Sequence, residues 1–529
     1  MHTTLSISDN VIRPDPYEPE TATRHPQMTW FTKVLVIPVG IIQLLYFIEI
    51  ARHRLIDGDE GFYLLASRLV FQHKLPYRDF FYPQMPLLPY VYGLYLSVAG
   101  LSWMTARTLA AILTSALGVL LYLKVSTETR KWYAGLASVL LFVTATQIFA
   151  WLPIAKTYSL SSLLLFGAYS VVSRASAGLR TRSVIISGLL LGLGTDTRLY
   201  FAGVLPVFFY WIFRNQNIRI RGKALLLFMA GFVAAVIPNL YFLVISPKAY
   251  VFNNLIYHLN RRADLGLLAS WGQKLRTAML VFLFGPGGLQ LGILVAISIL
   301  LVIKGAGGPR AGWLALQLAV ILGCICLIPT PSHEQYFCVA MPFLITAVAC
   351  LATDAAEGLG SATQGPWARW GVPTVLLIFV CISLPGYRRY LATGESVPGV
   401  RNASDWTMAE VTRVSAAIDE LARPDEPVMS LWPGYMFQST AAEFGGLENH
   451  AGLAFSPSLL PGELSAYHII SENQIRASLA HGTPRIVVIG NQDSMIVDGT
   501  PYMRMAEQFG YLPARVMGGT AIYVRPGRP

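Results

Sequence analysis

The chain has 529 residues, of which 54% are apolar and only 13% charged, and its formal net charge is +11. Repeated apolar runs are long enough to cross a hydrocarbon core of roughly 30 Å as helices, which excludes a soluble globular enzyme. The basic excess does not point to nucleic acid, because Lys and Arg of polytopic membrane proteins gather in short cytoplasmic loops.

Residues 1–29 are polar and carry Asp9, Asp15, Glu18 and Glu20. They lack the basic start, apolar core and small-residue cleavage site of a secretory signal and read as a disordered cytoplasmic tail. Candidate spans follow at about 30–50, 105–123, 134–151, 157–173, 184–198, 200–213, 224–245, 281–303, 312–329, 337–353 and 370–384, eleven in all. The run 87–101 after Pro83-Gln84-Met85-Pro86 is short for a span and reads as a re-entrant or interfacial helix.

Charge sets the orientation. With the amino terminus inside, cytoplasmic loops hold Lys124, Arg130 and Lys131, then Arg174, Arg180 and Arg182, then Arg214, Arg219, Arg221 and Lys223, then Lys304 and Arg310. Short outer loops hold only Lys156, Arg198 and the segment 329–336, the asymmetry expected of positive-inside topology. The five cysteines (Cys324, Cys326, Cys338, Cys350 and Cys381) lie in or beside apolar segments and suggest packing, not a disulfide framework or a zinc site.

After residue 384 the rhythm changes. Met408, Val411, Val414, Ile418 and Leu421 give the period of an amphipathic helix, with Thr407 and Glu410 as a capping box and Pro424 as its stop. Strand-like runs at 428–431, 485–489 and 521–524 complete a small α/β domain over 385–529. An odd number of spans places it outside the cytoplasm.

Chemistry is expected just past the first span, at Ile56-Asp57-Gly58-Asp59-Glu60-Gly61-Phe62-Tyr63. Ionisable groups held at a bilayer face mark pathways or reaction sites. Residues 60–72 predict an interfacial helix, and Asp59 could simply be its N-cap. Three acids exceed what a cap requires, and their repulsion calls for a compensating cation, metal or substrate proton. The same outer loop holds Arg68, His73, Lys74, Arg78, Tyr77, Tyr82 and Tyr90, of which Arg68 and Lys74 read as solvated or headgroup-facing. A second long outer loop brings Asn253, Asn254, Tyr257, His258, Arg261, Arg262 and Asp264, and a polar island between late spans brings His333, Glu334 and Tyr336. Carboxylate, cation and aromatic groups on one face suit a lipid-linked sugar phosphate: Arg pairs with phosphate, and a carboxylate takes a proton from an attacking hydroxyl.

Asp59-Glu60-x-x-Tyr63 after the first span resembles the signature of GT-C membrane glycosyltransferases, in particular the glycosyltransferase family 39-like clan of protein O-mannosyltransferases and lipid A aminoarabinose transferases. Tyr82-Pro83-Gln84-Met85-Pro86-Leu87 stands where that clan has a Pro-Pro-Leu stretch, and Tyr336 and Pro342 match its late Tyr and Pro. The similarity covers about 30–384. It implies a GT-C fold of about eleven transmembrane helices with a small extracytoplasmic α/β domain, in the plasma (inner) membrane.

It also implies transfer of a sugar from a polyprenyl-phosphate donor to an unknown lipid, glycan or protein acceptor, with inversion. Asp59 would act as general base supported by Glu60 and Asp57. Tyr63, Arg78, Tyr82, His258, Arg261, Arg262, His333 and Tyr336 would bind substrate. Two departures stand out. Gln84 replaces the clan's lysine, so phosphate contacts fall to Arg78, Arg261 or Arg262. Lys156-Thr157-Tyr158 lies where a second acid is often found. No cofactor is required by the sequence; a divalent metal is left open, although Asp57 with Asp59 cannot alone close its shell. Absence of a Trp-Trp-Asp run in the tail argues against an oligosaccharyltransferase. A transporter or flippase of lipid-linked precursors is the competing reading, but it would place charge or helix breaks at mid-membrane. A scaffold displaying the 385–529 domain would not need the acids.

Overall fold

The computed structural model describes residues 29–173, 180–216, 220–261, 266–285, 288–308, 310–359, 366–395, 403–490 and 498–526. The tail expected over 1–29 lies, Thr29 apart, outside them.

The first helix, α1 (Trp30–His53), starts at Thr29, whose side chain accepts a hydrogen bond from the Thr32 amide. In order follow α2 (Gly58–Phe71), α3 (Leu87–Ala99), α4 (Trp103–Thr129), α5 (Trp132–Thr144), the single turn α6 (Thr146–Phe149), α7 (Thr157–Val172), α8 (Thr181–Thr195), α9 (Leu205–Asn215), α10 (Arg221–Val236) and α11 (Asn239–Ile245). Among the described residues, Trp30–His53, Trp103–Thr129 and Thr374–Thr393 are single helices long and apolar enough to cross a membrane, and two bent pairs would add to them. With only 13 residues, α3 falls well short of the roughly 20 a straight span needs.

Where the expected spans differ, the backbone gives the reason. The 224–245 segment is two helices bent by 51° around Pro238, which cannot donate into the ladder. The segment expected as one helix over 281–303 begins earlier, at Leu267–Met279, widens into a π-helical turn over Leu280–Phe284, and resumes at Gly288–Ile303. The last apolar helix runs past 384 to Thr393.

Packing centres on α4, which lies against α1, α5 and α7. Close approach of α8 and α10 depends on glycine: a Cβ on Gly188 would sit 2.0 Å from the Phe228 carbonyl oxygen, and one on Gly231 2.2 Å from that of Ile185. Small residues that let backbones meet are the usual device where lipid removes the hydrophobic drive between helices. The outer faces stay apolar, as at Ile37, Ile41 and Leu45 on α1. All five cysteines are free thiols, and Cys324 and Cys381 are exposed instead of packed inside.

The tail is α/β. Its amphipathic helix runs Met408–Leu421 and buries Val411, Val414 and Ile418. Thr407 accepts from the Glu410 amide, but the Glu410 carboxylate turns to Arg413, so only half of the expected box forms. The strands are β1 (Pro427–Ser430), β2 (Ala442–Glu443), β3 (Ile486–Ile489), β4 (Leu512–Met517) and β5 (Thr520–Val524), in the order β2-β1-β3-β5-β4. The β1 strand is parallel to β2 and β3, whereas β5 is antiparallel to β3 and β4. The short β2 and the exposed β4 escaped the sequence because neither carries a run of buried residues.

The tail does not float. One hydrophobic cluster runs from Ile56, Phe62 and Tyr63 through Trp103 into Val411, Val428, Trp432 and Ile486. Trp432 stacks on Trp103 with centroids 6.0 Å apart and donates its indole N–H to the Gly58 carbonyl at 2.8 Å. Arg68 and Lys74, expected at a wet surface, instead hold the tail: both pair with Glu443, and Arg68 also donates to the carbonyls of Met436 (2.6 Å) and Ser439 (2.5 Å).

Candidate active site

At the start of α2, Asp57 and not Asp59 is the N-cap. Its Oδ1 accepts from the Asp59 amide at 3.1 Å, while the Glu60 carboxylate accepts from the Asp57 amide at 3.0 Å. This reciprocal box satisfies the helix end and frees the Asp59 side chain from that duty.

Glu60 is sealed. It takes two hydrogen bonds from Arg107, at 2.9 and 2.6 Å, and a third from the Ala155 amide at 3.0 Å, and neither charged side chain is exposed. Arg107 also donates to the carbonyls of Ala51, Arg54 and Leu55, tying α4 to the end of α1. Glu60, expected to support Asp59, fixes the loop that presents it and has no exposed side-chain surface of its own.

Asp59 is different, with 38% of its side-chain surface open. Its Oδ2 lies 2.8 Å from the Lys156 ammonium, which also meets Asp57 Oδ1 at 2.7 Å and Gln335 Oε1 at 3.1 Å. Partial burial would push the Asp59 carboxyl up, but Lys156, aided by His450 and His333, outweighs it and holds the group well below the usual carboxylate range. Asp59 is ionised at any working pH.

Beside this triad lies a layer of cations and rings. The Arg198 guanidinium sits over Tyr158 (5.0 Å), Tyr200 (5.0 Å) and Tyr336 (5.2 Å), and no carboxylate pairs with it among the described residues. Arg261 donates to the Pro331 carbonyl at 3.3 Å and lies next to Tyr336 and Tyr257. Tyr63 and Tyr82 meet edge to face at 6.4 Å, and the buried Tyr82 hydroxyl has no partner among the described residues. Three histidines border the site. His258 gives its Nε2 proton to the Pro83 carbonyl at 2.8 Å, His333 stands on the edge of Tyr336 at 5.4 Å, and His450 enters from the tail against Phe62 at 5.8 Å. Burial, together with Arg261 for the first two, pushes His258 and His333 down to about 4; burial likewise brings His450 down to about 4, so all three are neutral at pH 7.

Of the residues expected from sequence, Asp57, Asp59, Tyr63, Tyr82, His258, Arg261, His333 and Tyr336 are gathered around this centre. Arg78 is not. It forms a two-bond pair with its neighbour Asp79 (2.8 and 2.7 Å), which faces a separate hollow with Glu448 and His468. Arg262 lies outside the described residues. In the sequence Arg198 stands out only as an isolated cation in an outer loop, and Lys156 as another that lies where the clan often has a second acid. Nothing in the sequence pointed to Arg107, and Gln335 was marked only as part of the polar segment 329–336.

Residues 83–242 match the sequence model of the dolichyl-phosphate-mannose-protein mannosyltransferase family. No curated protein is similar in sequence. ArnT from Cupriavidus metallidurans, solved bound to undecaprenyl phosphate, superposes with a TM-score of 0.62 at 14% identity, covering 93% of this chain and 97% of that one. Its apo state gives 0.61 at 15% identity, with the same coverage. The arabinofuranosyltransferase AftD from Mycobacteria gives 0.50 at 12% identity over 94% of this chain and 40% of that one. The fold is that of the GT-C superfamily.

In this GT-C fold the acid-bearing turn, the α7 start with Lys156 and the loop with Gln335 converge from distant parts of the chain, and the tail closes over them through His450 and Trp432. A divalent metal is a separate question. Asp57 and Asp59 are the carboxylates it would use, and Lys156 already spans both. Among the described residues no three His, Cys, Asp or Glu side chains are grouped to hold a metal ion. With the Lys156 ammonium held between them, these two carboxylates do not fit a metal ion.

Proposed function

We propose that this protein transfers a sugar from a polyprenyl-phosphate donor to a hydroxyl acceptor at the extracytoplasmic face of the plasma membrane. One observation carries the reading: an ionised, partly open Asp59 beside Arg198 and Arg261, cations with no carboxylate partner among the described residues. The fold adds support, since the ArnT structure that superposes over most of both chains holds undecaprenyl phosphate. Eleven spans, with the amino terminus cytoplasmic and the tail outside, complete the proposal.

The donor phosphate lies against the two guanidiniums, whose planar donors suit phosphate oxygens. The acceptor hydroxyl approaches the free side of Asp59. Its oxygen forms the new bond to the anomeric carbon from the face opposite the phosphate, inverting that centre. The old carbon–oxygen bond breaks with its electron pair passing to the phosphate, where cations stabilise the charge without a dedicated acid. The hydroxyl proton passes to Asp59. A carboxylate held so acidic accepts that proton late, once bonding to carbon has made the attacking oxygen strongly acidic itself.

Purified protein given a labelled polyprenyl-phosphate sugar and an acceptor extract should release free polyprenyl phosphate. Asp59→Asn should reduce this by about two to four powers of ten while the protein stays folded. Full activity in that variant would remove the assignment.

A further inference from the structure

We propose that the Lys156 ammonium is the resident cation of this site, standing where a divalent metal bridging Asp57 and Asp59 would stand, so that the reaction runs without a metal. The inference rests on the transferase reading for its catalytic half only. Three oxygens surround the nitrogen at hydrogen-bond distance: Asp57 Oδ1 at 2.7 Å, Asp59 Oδ2 at 2.8 Å and Gln335 Oε1 at 3.1 Å. The ammonium donates hydrogen bonds to Asp57 and Gln335 and forms an ion pair with Asp59. The arrangement is also an all-oxygen nest of the kind hard divalent cations prefer. Lys156 fills it from within the chain.

The surroundings bind the lysine to that place. Its side chain is only 1% exposed, and its nitrogen lies 5.7 Å from the Trp151 ring and 5.9 Å from the Tyr158 ring, a cation–aromatic setting that also keeps water out. A divalent ion arriving at the same carboxylates would meet a fixed like charge, with no third acid in reach to offset it. One ammonium also does less than a metal. It occupies Oδ2 of Asp59 and leaves Oδ1 with no hydrogen-bond partner among the described residues, the oxygen an acceptor hydroxyl would meet.

The test uses full-length protein in detergent, treated with chelator and titrated with Mn2+ while free ion is read by electron paramagnetic resonance. Wild type should take up no stoichiometric Mn2+ that Asp59→Asn abolishes. Lys156→Glu should gain one Mn2+ per chain, lost again in the double variant with Asp59→Asn, and Lys156→Arg should gain none. A stoichiometric Mn2+ site in wild type that depends on Asp59, or a folded Lys156→Glu that binds none, overturns the proposal. In the transfer assay, chelator should leave the wild-type rate unchanged; loss of transfer restored by Mn2+ also overturns it, and neither this arm nor the wild-type titration needs the variant to fold. Absence of transfer under every condition would instead strike the transferase reading, with the titration still deciding the role of Lys156.

Discussion

Glu60 and Arg107 meet through two hydrogen bonds, at 2.9 and 2.6 Å, with no part of either side chain open to solvent. A buried pair of this kind gives little net stability, but breaking it leaves one charge uncompensated. Arg107→Leu should therefore destabilise the protein by about 3–5 kcal/mol, seen as a large fall in melting temperature in detergent. Glu60→Gln with Arg107→Met should recover part of the loss. An unchanged melting temperature in Arg107→Leu would remove the clamp.

The docking of the tail on α2 is tight at one point. A Cβ on Gly61 would lie 2.8 Å from the Gly434 amide nitrogen and 2.9 Å from the Trp432 ring. Gly61→Val should thus pry the tail from the membrane helices at a cost of at least about 1–3 kcal/mol. Limited proteolysis after Thr393 should release a tail fragment from the variant and not from wild type. Equal resistance in both would show that the contact yields.

His450 links stability to pH in a direction opposite to that of a paired histidine. Burial brings its folded value down to about 4 from 6.5, although Asp59 and Asp57 pull it back up. Between those values the unfolded chain binds the proton and the folded protein does not. The neutral imidazole therefore contributes fully above about 6.5, and the contribution disappears as pH falls toward 4. At about 1.4 kcal/mol per unit, up to roughly 3 kcal/mol is at stake. Melting temperature should fall between pH 7 and pH 4.5, and less steeply in His450→Gln; parallel slopes would exclude this origin.

Arg198 lies over three tyrosine rings and donates to the Tyr200 hydroxyl at 2.9 Å. If it holds the donor phosphate, Arg198→Ala should raise the donor KM by about 10- to 100-fold, the size of a lost charged hydrogen bond. Arg198→Lys should rescue only part, because lysine keeps the charge but not the planar stack. An unaltered KM in Arg198→Ala would move the phosphate elsewhere.

Much of this was written locally. Apolar runs gave the helical membrane-type fold, because in lipid a backbone must satisfy itself. The amphipathic spacing from Met408 to Leu421 gave the tail helix within its observed bounds, and the acids after α1 marked the site. Helix breaks were harder, since Pro238 and the π-helical turn over Leu280–Phe284 sit inside continuous apolar text.

Local sequence alone fixed which residues were polar in an apolar chain, and so where chemistry had to be sought. It could not tell the three acids apart. Only tertiary structure decided that Asp57 caps, Glu60 is locked by Arg107, and Asp59 is left facing Lys156, whose partner Asp57 is 99 positions away in the chain. The reason is physical: the state and duty of a carboxylate are set by the charges and donors within a few ångströms of it, and in this fold those arrive from other helices.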